Sequence, residues 1–403
     1  MQNRSRRSAR LDYIMGEFVA LERFHIRVDE KVLQDLKARL DQTRWPDPWA
    51  GDAWEGGTDL EALRGLVDHW RTRFDWRVQE AALNRLTQYR CRIGTIDVHF
   101  VHERGAGPEP LPIILTHGWP DSFLRYQKVI PLLANPAAHG GDPADAFDVV
   151  VPSVPGFGFS SRPEKGGINN QRISELWATL MTEILGYHRF AAGGGDFGSG
   201  VTRYLAAGHP DRLVGIHLTD IGLVRDLVNA PDPALLSEAE LDYRREAQAW
   251  IAREGAYMAV QSTRPQTLAF GLTDSPVGLA AWILDKFRSW SDCQGNLANR
   301  FTADELLTNI MLYWFTGNFG SSARLYYENA RSLPPLPRIE VPTGVALFPA
   351  DILPPPREWA ERHLQIERWT NLPRGGHFTA WEEPELLAED IRAFFRPLRR
   401  HRV

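Results

Sequence analysis

The sequence predicts an α/β fold in which a mostly parallel central sheet is flanked by helices. Three short apolar runs, at residues 113–115, 149–151 and 190–192, predict buried strands. The segment 173–185, between the last two runs, has the periodicity of a helix. Short apolar strands that alternate with helices are typical of parallel sheets covered on both faces, and the loops at their carboxyl ends are available for chemistry.

The chain before these strands predicts a helical meander that packs on the sheet domain. Apolar residues recur at helical spacing in three segments, and Pro46 and Pro48 end the first of them. Beyond Cys91 the apolar period changes to two, which indicates a hairpin. The predicted elements are helices over residues 28–40, 60–70 and 80–86, and a hairpin over residues 92–100 that turns at 94–95.

A helical insertion is predicted within the sheet domain. Its helices are expected over residues 238–251, 277–290 and 303–315, before strands over 341–348 and 366–369 and an amphipathic helix over 385–395. We therefore expect a disordered extension (1–20), an N-terminal helical meander (21–90), a core in two parts (91–220 and 326–403) and a helical lid (221–325).

The bulk composition excludes several classes of function. A net charge of -5 gives no basic surface for nucleic acid. Cys91 and Cys293 lie far apart and form no C-x-x-C pattern, so neither a disulfide framework nor a thiolate metal site is expected. No apolar run approaches the ~20 residues of a membrane-spanning helix, and the arginine-rich N-terminus lacks the apolar core of a signal peptide. We expect a soluble protein of the cytoplasm without a membrane anchor.

An aspartate flanked by glycines stands between the third apolar run and a helical segment. Residues 194–198 have the sequence GGDFG. Small neighbours are needed at the sharp strand-to-helix turn of the α/β-hydrolase fold, where the central residue is usually a nucleophilic serine. Asp196 can attack carbon without a base, because a carboxylate is ionised at neutral pH, and the product is an ester with the enzyme. Capping of the following helix is the alternative role for Asp196.

Two loops at other strand ends provide companions for Asp196. Residues 117–120 (HGWP) follow the first apolar run, where backbone N–H groups of Trp119 and of Phe197 would form an oxyanion hole. A simple turn that ends the strand is the alternative there. His377, in a glycine-rich turn, is the expected base, and Asp351, after the strand at 345–348, is the expected acid that orients it. A solvated turn is the alternative for Asp351.

From about Phe24 to Phe395 the sequence resembles the microsomal-type epoxide hydrolases. The shared N-terminal segment includes RWPDP at residues 44–48. The other matching runs are HGWP at 117–120, PGFGFS at 155–160, TDSPVGLA at 273–280, RGGHF at 374–378 and EEPELL at 382–387. Two departures are that Phe197 replaces a tryptophan of the mammalian microsomal enzyme and that the membrane helix of that enzyme has no counterpart here.

The resemblance implies an aspartate nucleophile at Asp196, a histidine base at His377 and an acid at Asp351, in agreement with the roles expected from the residues themselves. It adds two lid tyrosines that hydrogen-bond the epoxide oxygen, at Tyr257 and Tyr326, with Tyr327 as the rival for the second. A phenol suits this role because, with a pKa of about 10, it is neutral at rest and can donate a proton to an alkoxide.

The predicted function is hydrolysis of an apolar epoxide to a vicinal diol through a covalent Asp196 ester, without a cofactor or a metal. Phe157, Trp282 and Phe378 are the expected pocket residues, and detoxification and secondary metabolism are both open as contexts. A haloalkane dehalogenase with the same machinery is the alternative enzyme, although Phe197 offers no side-chain N–H to a halide. A non-catalytic binding protein on the same fold is the other alternative. A homodimer is left open.

Overall fold

The computed structural model describes residues 21–222 and 232–399, so the predicted disordered extension over 1–20 lies outside the described residues. In the described part of the chain, nine strands form one sheet. The strands are β1 (Glu22–Arg23), β2 (Gln88–Ile93), β3 (Ile96–Glu103), β4 (Leu111–Thr116), β5 (Phe147–Pro152), β6 (Phe190–Gly194), β7 (Leu213–Leu218), β8 (Ile339–Leu347) and β9 (Leu364–Asn371).

The sheet is mostly parallel, as the sequence predicts. Its order is β1-β2-β3-β5-β4-β6-β7-β8-β9, and the pairs from β5 through β9 are all parallel, whereas β1, β2 and β3 are antiparallel to their neighbours. The predicted hairpin is confirmed, because β2 and β3 pair up to Ile93 and Ile96. Thr116 of β4 is in register with Gly194 of β6, so the loops that follow these two strands lie side by side.

Helices of the core lie mainly where periodicity predicts them. They are α1 (Glu30–Asp41), α2 (Leu60–Thr72), α3 (Trp76–Leu83), α4 (Val129–Ala134), α5 (Asn170–Thr179) and α6 (Phe197–Gly208), with α13 (Arg357–His363), α14 (Thr379–Glu382) and α15 (Pro384–Leu398) after the insertion. The helix predicted over 80–86 begins earlier, at Trp76, because the Asp75 side chain accepts the N–H of Arg77 and Trp76 is buried in the core. Strand β7 was not predicted.

The N-terminal meander is bonded within itself and packs on the rest of the chain. Ile26 and the Asn84 side chain exchange two hydrogen bonds of 2.8 Å, and the Phe24 ring lies 5.0 Å from the ring of His99 in β3. In α2, the indole N–H of Trp70 donates to Met311 Sδ, and His69 lies 2.6 Å from Asp304. The meander therefore packs on the insertion as well as on the sheet domain.

The insertion consists of six helices among the described residues. They are α7 (Glu238–Glu254), α8 (Ala256–Thr263), α9 (Pro265–Asp274), α10 (Pro276–Trp290), α11 (Ala303–Thr316) and α12 (Phe319–Ser332). Capping boxes begin α7 at Ser237 and α11 at Thr302. Helix α12 continues past residue 325, the predicted end of the lid, because Ala323 and Leu325 are buried in the middle of a regular helix.

A helix that crosses a membrane must be both long and apolar. Within residues 21–222 and 232–399, no single helix meets both requirements. The consecutive helices α9 and α10 meet them only as a pair, and they are bent by 118° at their junction.

Candidate active site

Asp196 occupies a strained turn between β6 and α6. Its φ of 56° and ψ of -127° place it in a conformation that residues other than glycine rarely adopt. The glycines around it have no room for a side chain: a Cβ on Gly194 would lie 2.5 Å from the Gly198 carbonyl carbon, and one on Gly198 would lie 1.9 Å from Thr116 O. This glycine requirement explains the GGDFG sequence and brings Asp196 up against the end of β4.

Two backbone N–H groups hold one oxygen of the Asp196 carboxylate. Trp119 N donates to Asp196 Oδ1 at 2.9 Å and Phe197 N donates to the same oxygen at 2.7 Å. These are the two donors expected from the sequence. The Phe197 bond also caps α6, so the capping role and a catalytic role of Asp196 do not exclude each other. The arrangement can stabilise negative charge on Oδ1.

Gly118, in the loop after β4, faces the Asp196 side chain. A Cβ on Gly118 would lie 2.3 Å from Asp196 Cβ and 2.5 Å from Oδ1. Gly118→Ala is therefore expected to displace the carboxylate and to lower kcat about 100-fold, measured on the epoxide hydrolysis that the sequence predicts. Gly65→Ala is the matched control, because nothing lies within 4 Å of that Cβ in the exposed face of α2. Unchanged activity of Gly118→Ala would contradict the proposed nucleophile geometry.

His377 lies between two carboxylates. Its Nδ1 is 2.7 Å from Asp351 Oδ1 and its Nε2 is 3.4 Å from Asp196 Oδ2. A parallel bridge between Ala350 and Gly376 brings the two loops together. The side chains of His377 and Asp351 are only 3% and 4% exposed, whereas that of Asp196 is 15% exposed. Asp196 is thus the most accessible of the three side chains, while its two partners are shielded from bulk solvent.

The charges around His377 change its affinity for protons. Burial lowers the pKa of His377, but the charge of Asp351 and the hydrogen bond and charge of Asp196 outweigh burial and raise it to about 10. The proton on the ring is thus held partly by the Asp196 carboxylate. Any reaction that turns this carboxylate into a neutral ester removes that contribution and lowers the pKa of His377, which makes the imidazole available as a base.

Asp220 is a site residue that sequence reasoning missed. It follows the unpredicted strand β7, and its Oδ2 accepts the backbone N–H of Asp196. Burial, followed by the charge of Asp351, raises the pKa of the Asp220 carboxyl to about 7. Asp220 thus holds the strained turn through a hydrogen bond to the backbone of Asp196. The sequence feature that could have indicated Asp220 is the short apolar run Leu213–Leu218 that it follows.

A buried ion pair links the oxyanion loop to the histidine loop and was also missed. Asp121 accepts the backbone N–H of Gly118 at 2.9 Å and pairs with Arg125. The Arg125 guanidinium donates to the backbone carbonyl of His377 at 2.6 Å. A charged group this deeply buried is stable only with such partners. Arg125 therefore fixes the separation between the two loops that meet at Asp196.

Glu382 fastens the histidine loop on its other side. One carboxylate oxygen accepts the N–H groups of Asp292 at 2.7 Å and Gly376 at 3.0 Å, and the other accepts that of Phe378 at 3.0 Å. The backbone on both sides of His377 is thereby held, and it is joined to the end of the lid helix α10. Glu382 belongs to the EEPELL run that supports the family resemblance, but the sequence alone did not indicate these hydrogen bonds.

The lid brings two tyrosine rings against Trp119 and Phe197, the two residues whose N–H groups hold Asp196. The rings of Tyr257 (α8) and Tyr326 (α12) have centroids 5.8 Å apart. The ring of Trp119 stacks on Tyr257 at 5.4 Å, and the ring of Phe197 contacts Tyr326 at 4.6 Å. Burial is the largest cause that raises the pKa of both Tyr257 and Tyr326 well above the usual range, and the charge of Asp196 acts in the same direction. Both phenols are therefore neutral and able to donate hydrogen bonds.

Tyr327 occupies a different environment from Tyr326. The guanidinium of Arg331, one turn further along α12, lies 3.6 Å from the centroid of the Tyr327 ring. Tyr326, by contrast, contacts Tyr257, Trp119 and Phe197. The geometry thus places Tyr326, the preferred of the two candidates, beside Tyr257.

Among the described residues, none of the three expected pocket residues has a ring contact with Tyr257 or Tyr326, although the Phe378 ring lies 5.4 Å from that of His377. Phe378 is fully buried and stacks on Phe287 at 4.0 Å. Phe157 packs against the ring of His117 at 5.3 Å, and Trp282 donates to the Gln261 side chain at 3.1 Å. The aromatic residues that contact Tyr257 or Tyr326 are instead Trp119, Trp290 and Phe197.

Comparisons with known proteins cover both parts of this structure. The family described as "Epoxide hydrolase N terminus" matches residues 21–126, and the family described as "alpha/beta hydrolase fold" matches residues 112–384. Epoxide hydrolase 1 of Oryctolagus cuniculus is 36% identical over 400 residues, which cover 92% of this chain and 88% of the rabbit protein. The sequence similarity therefore includes the meander, the sheet domain and the lid.

Two solved structures are similar over the whole fold. The juvenile hormone epoxide hydrolase of the silkworm Bombyx mori superposes with a TM-score of 0.82 at 26% identity, and 96% of each chain is covered. The epoxide hydrolase of Aspergillus niger also gives a TM-score of 0.82, at 29% identity, with 94% of this chain and 97% of the fungal chain covered. The α/β-hydrolase fold predicted from the sequence is thus confirmed.

Proposed function

This chain belongs to the microsomal-type epoxide hydrolases, and from that premise we propose that it converts an apolar epoxide into a vicinal diol through a covalent ester on Asp196. The observation that carries the mechanism is the unequal environment of the two Asp196 oxygens. Oδ1 accepts two backbone N–H groups, whereas Oδ2 lies 3.4 Å from His377 Nε2. One oxygen is thus held for the hydrolysis step and the other can attack carbon.

In the first half of the reaction, Tyr257 and Tyr326 hydrogen-bond the epoxide oxygen while Asp196 Oδ2 attacks a ring carbon from the opposite side. The C–O bond breaks, and its electron pair goes to the epoxide oxygen, which takes a proton from a tyrosine. The product is a hydroxyalkyl ester. The Trp119, Trp290 and Phe197 rings around the tyrosines favour an apolar substrate.

In the second half, His377 activates a water molecule that attacks the Asp196 carbonyl carbon. The ester has no negative charge, so the pKa of His377 is lower than in the resting site, and Asp351 keeps the ring oriented through Nδ1. The N–H groups of Trp119 and Phe197 stabilise the oxyanion that forms on Oδ1. Ring opening consumes one proton and ester hydrolysis releases one, so the cycle needs no net proton source.

A single turnover in ¹⁸O-water with excess enzyme tests the covalent route. The new oxygen of the diol comes from Asp196 in this mechanism, so the first diol formed is expected to be unlabelled while the protein gains one label. Repeated turnovers should then give labelled diol. A first diol that is fully labelled would show direct attack of water and overturn the ester mechanism.

The two lid tyrosines are expected to act only in ring opening. Tyr257→Phe and Tyr326→Phe should each slow ester formation by about 10- to 100-fold, and the double variant by roughly 1000-fold or more, as expected of general acids. Ester hydrolysis should be unchanged in all three, as measured by rapid quench and intact-protein mass. Tyr327→Phe is the matched control from the next position and should retain wild-type rates. A larger effect at Tyr327 than at Tyr326 would reverse their assignment.

One observation favours a second candidate, the dehalogenase. Among the residues described, the indole N–H of Trp119 has no hydrogen-bond partner, so it is available to a halide leaving group. Phe197 cannot supply a second such donor. A protein adduct formed from 1-chlorobutane, with none from styrene oxide, would favour dehalogenation, and the reverse result would support epoxide hydrolysis.

A further inference from the structure

Lys286 is a buried cation that the mechanism above does not use. Its side chain is 8% exposed in α10, and Nζ lies 2.6 Å from Asp285 Oδ2 and 3.7 Å from Glu254 Oε2. The two carboxylates are more accessible, at 24% and 23%. Burial of an ammonium is costly even when it is paired, and two acidic neighbours at the edge of the lid could be solvated without it. The position of Lys286 therefore calls for an explanation.

The explanation lies in the rings that Lys286 faces. Its Nζ is 5.2 Å from the centroid of the Tyr257 ring and 5.7 Å from that of the Trp290 ring. Both distances are within the range of cation–π attraction. Both rings border the active site, because Tyr257 stacks on Trp119 and the Trp290 backbone carbonyl accepts the N–H of His377. Lys286 thus holds the ring that carries one of the two proposed proton donors.

The charges around Tyr257 otherwise oppose proton donation. The groups that face it are Asp196 on the elbow, Tyr326 on α12, Glu254 at the end of α7 and Lys286 on α10. Burial and the charges of Asp196 and Glu254 raise the pKa of Tyr257, which makes the phenol a weaker acid. Lys286 is the cation in this set. It pairs with Glu254 and offsets the anionic surroundings of the phenol.

We propose that Lys286 is a positioning residue that fixes the Tyr257 ring and stabilises the negative charge that the phenol develops during epoxide opening. Asp196 Oδ2 bonds to carbon as the C–O bond breaks, and the freed electron pair takes the phenol proton. A fixed cation beside the ring stabilises this partly ionised phenol more than the neutral one. The proposal rests on the proposed function, and it confines the role of Lys286 to ester formation, because ester hydrolysis takes place at Asp196 and His377.

Three variants separate the charge of Lys286 from its packing. Lys286→Met keeps an unbranched apolar stem of similar length, and Lys286→Arg keeps the cation. The double variant Lys286→Met with Glu254→Gln removes one of the two carboxylates left without their cation, the one whose charge raises the pKa of Tyr257. Ester formation and ester hydrolysis are measured separately by rapid quench and intact-protein mass with styrene oxide. We expect Lys286→Met to slow ester formation about 10-fold, the magnitude of a desolvated cation–π contact, and Lys286→Arg to stay within about three-fold of wild type.

A pair of epoxides distinguishes an effect on acidity from an effect on packing. Opening of 1,2-epoxypropane at its terminal carbon gives a basic alkoxide that needs a proton donor, whereas the alkoxide from 1,2-epoxy-3,3,3-trifluoropropane is much less basic because of the CF₃ group. The loss caused by Lys286→Met is therefore expected to be several-fold smaller with the trifluoro compound. The double variant should recover part of the lost rate, because it removes an anion that also raises the pKa of Tyr257.

The outcomes separate this inference from the proposed function. If wild-type enzyme forms no ester with any of these epoxides, the proposed function fails. If wild-type enzyme forms the ester and Lys286→Met forms it at the same rate, only the role of Lys286 fails. Equal losses in both half-reactions, or with both epoxides, would show that Lys286 only supports packing and would also overturn the inference.

Discussion

Asp196→Asn is expected to abolish diol formation, with a loss in kcat of at least about 10⁴-fold, as is typical when a nucleophile is removed. Asparagine is the appropriate replacement because it tolerates the positive φ of 56° better than most residues. Its side-chain oxygen can still accept the N–H groups of Trp119 and Phe197, so the turn should be preserved. Intact-protein mass should show no adduct with an epoxide, whereas wild-type enzyme trapped during turnover should show one.

The same variant has a second readout that does not depend on activity. The charge and hydrogen bond of Asp196 contribute to the raised pKa of His377, so their loss should lower that pKa from about 10. The shift can be followed by NMR of the imidazole protons. Asp47→Asn, at an exposed position of the N-terminal meander, is the charge-matched control and should change neither activity nor the pKa of His377. Substantial diol formation by Asp196→Asn would assign the nucleophile elsewhere.

The elements of the fold that local patterning determines could be predicted from the sequence. The GGDFG run indicates the turn at Asp196 because the turn itself leaves no room for a side chain at Gly194, where a Cβ would lie 2.5 Å from the Gly198 carbonyl carbon. The parallel strands β4, β5 and β6 are recognisable because each contains a continuous apolar run. Strand β7 escaped prediction although it is buried along its whole length, since Gly215 and His217 interrupt its apolar run.

The supporting residues of the site could not be predicted in the same way. Arg125 and His377 are separated by 252 positions, and their contact involves a backbone carbonyl that no side-chain pattern encodes. Lys286 resembles any lysine of an amphipathic helix until the fold places it beside Tyr257. The choice between Tyr326 and Tyr327 likewise depends on which face of α12 meets Trp119. Such contacts are decided by tertiary packing and not by local sequence.

The second prediction of large effect concerns His377. The substitution His377→Gln should leave ring opening possible and slow ester hydrolysis by about 10²- to 10⁴-fold, the usual contribution of a general base. The ester should therefore accumulate, and the protein should gain the mass of one epoxide. The loop should keep its position, because the two hydrogen bonds that hold it at residue 377 involve the backbone. The His377 N–H donates to Trp290 O at 2.7 Å, and the His377 carbonyl accepts from the Arg125 guanidinium at 2.6 Å.

Accumulation of the ester distinguishes a missing base from a misplaced nucleophile. If His377→Gln only disturbed the site, ester formation would fall along with hydrolysis and no adduct would build up. If His377 were the base for both half-reactions, the variant would form no ester, and the division of roles between Asp196 and His377 would be wrong. His25→Gln, at an exposed position on the meander, is the matched control and should turn over normally without an adduct. An adduct in the His377 variant that releases diol slowly, with the diol oxygen drawn from Asp196, would join the two halves of the mechanism in one protein sample.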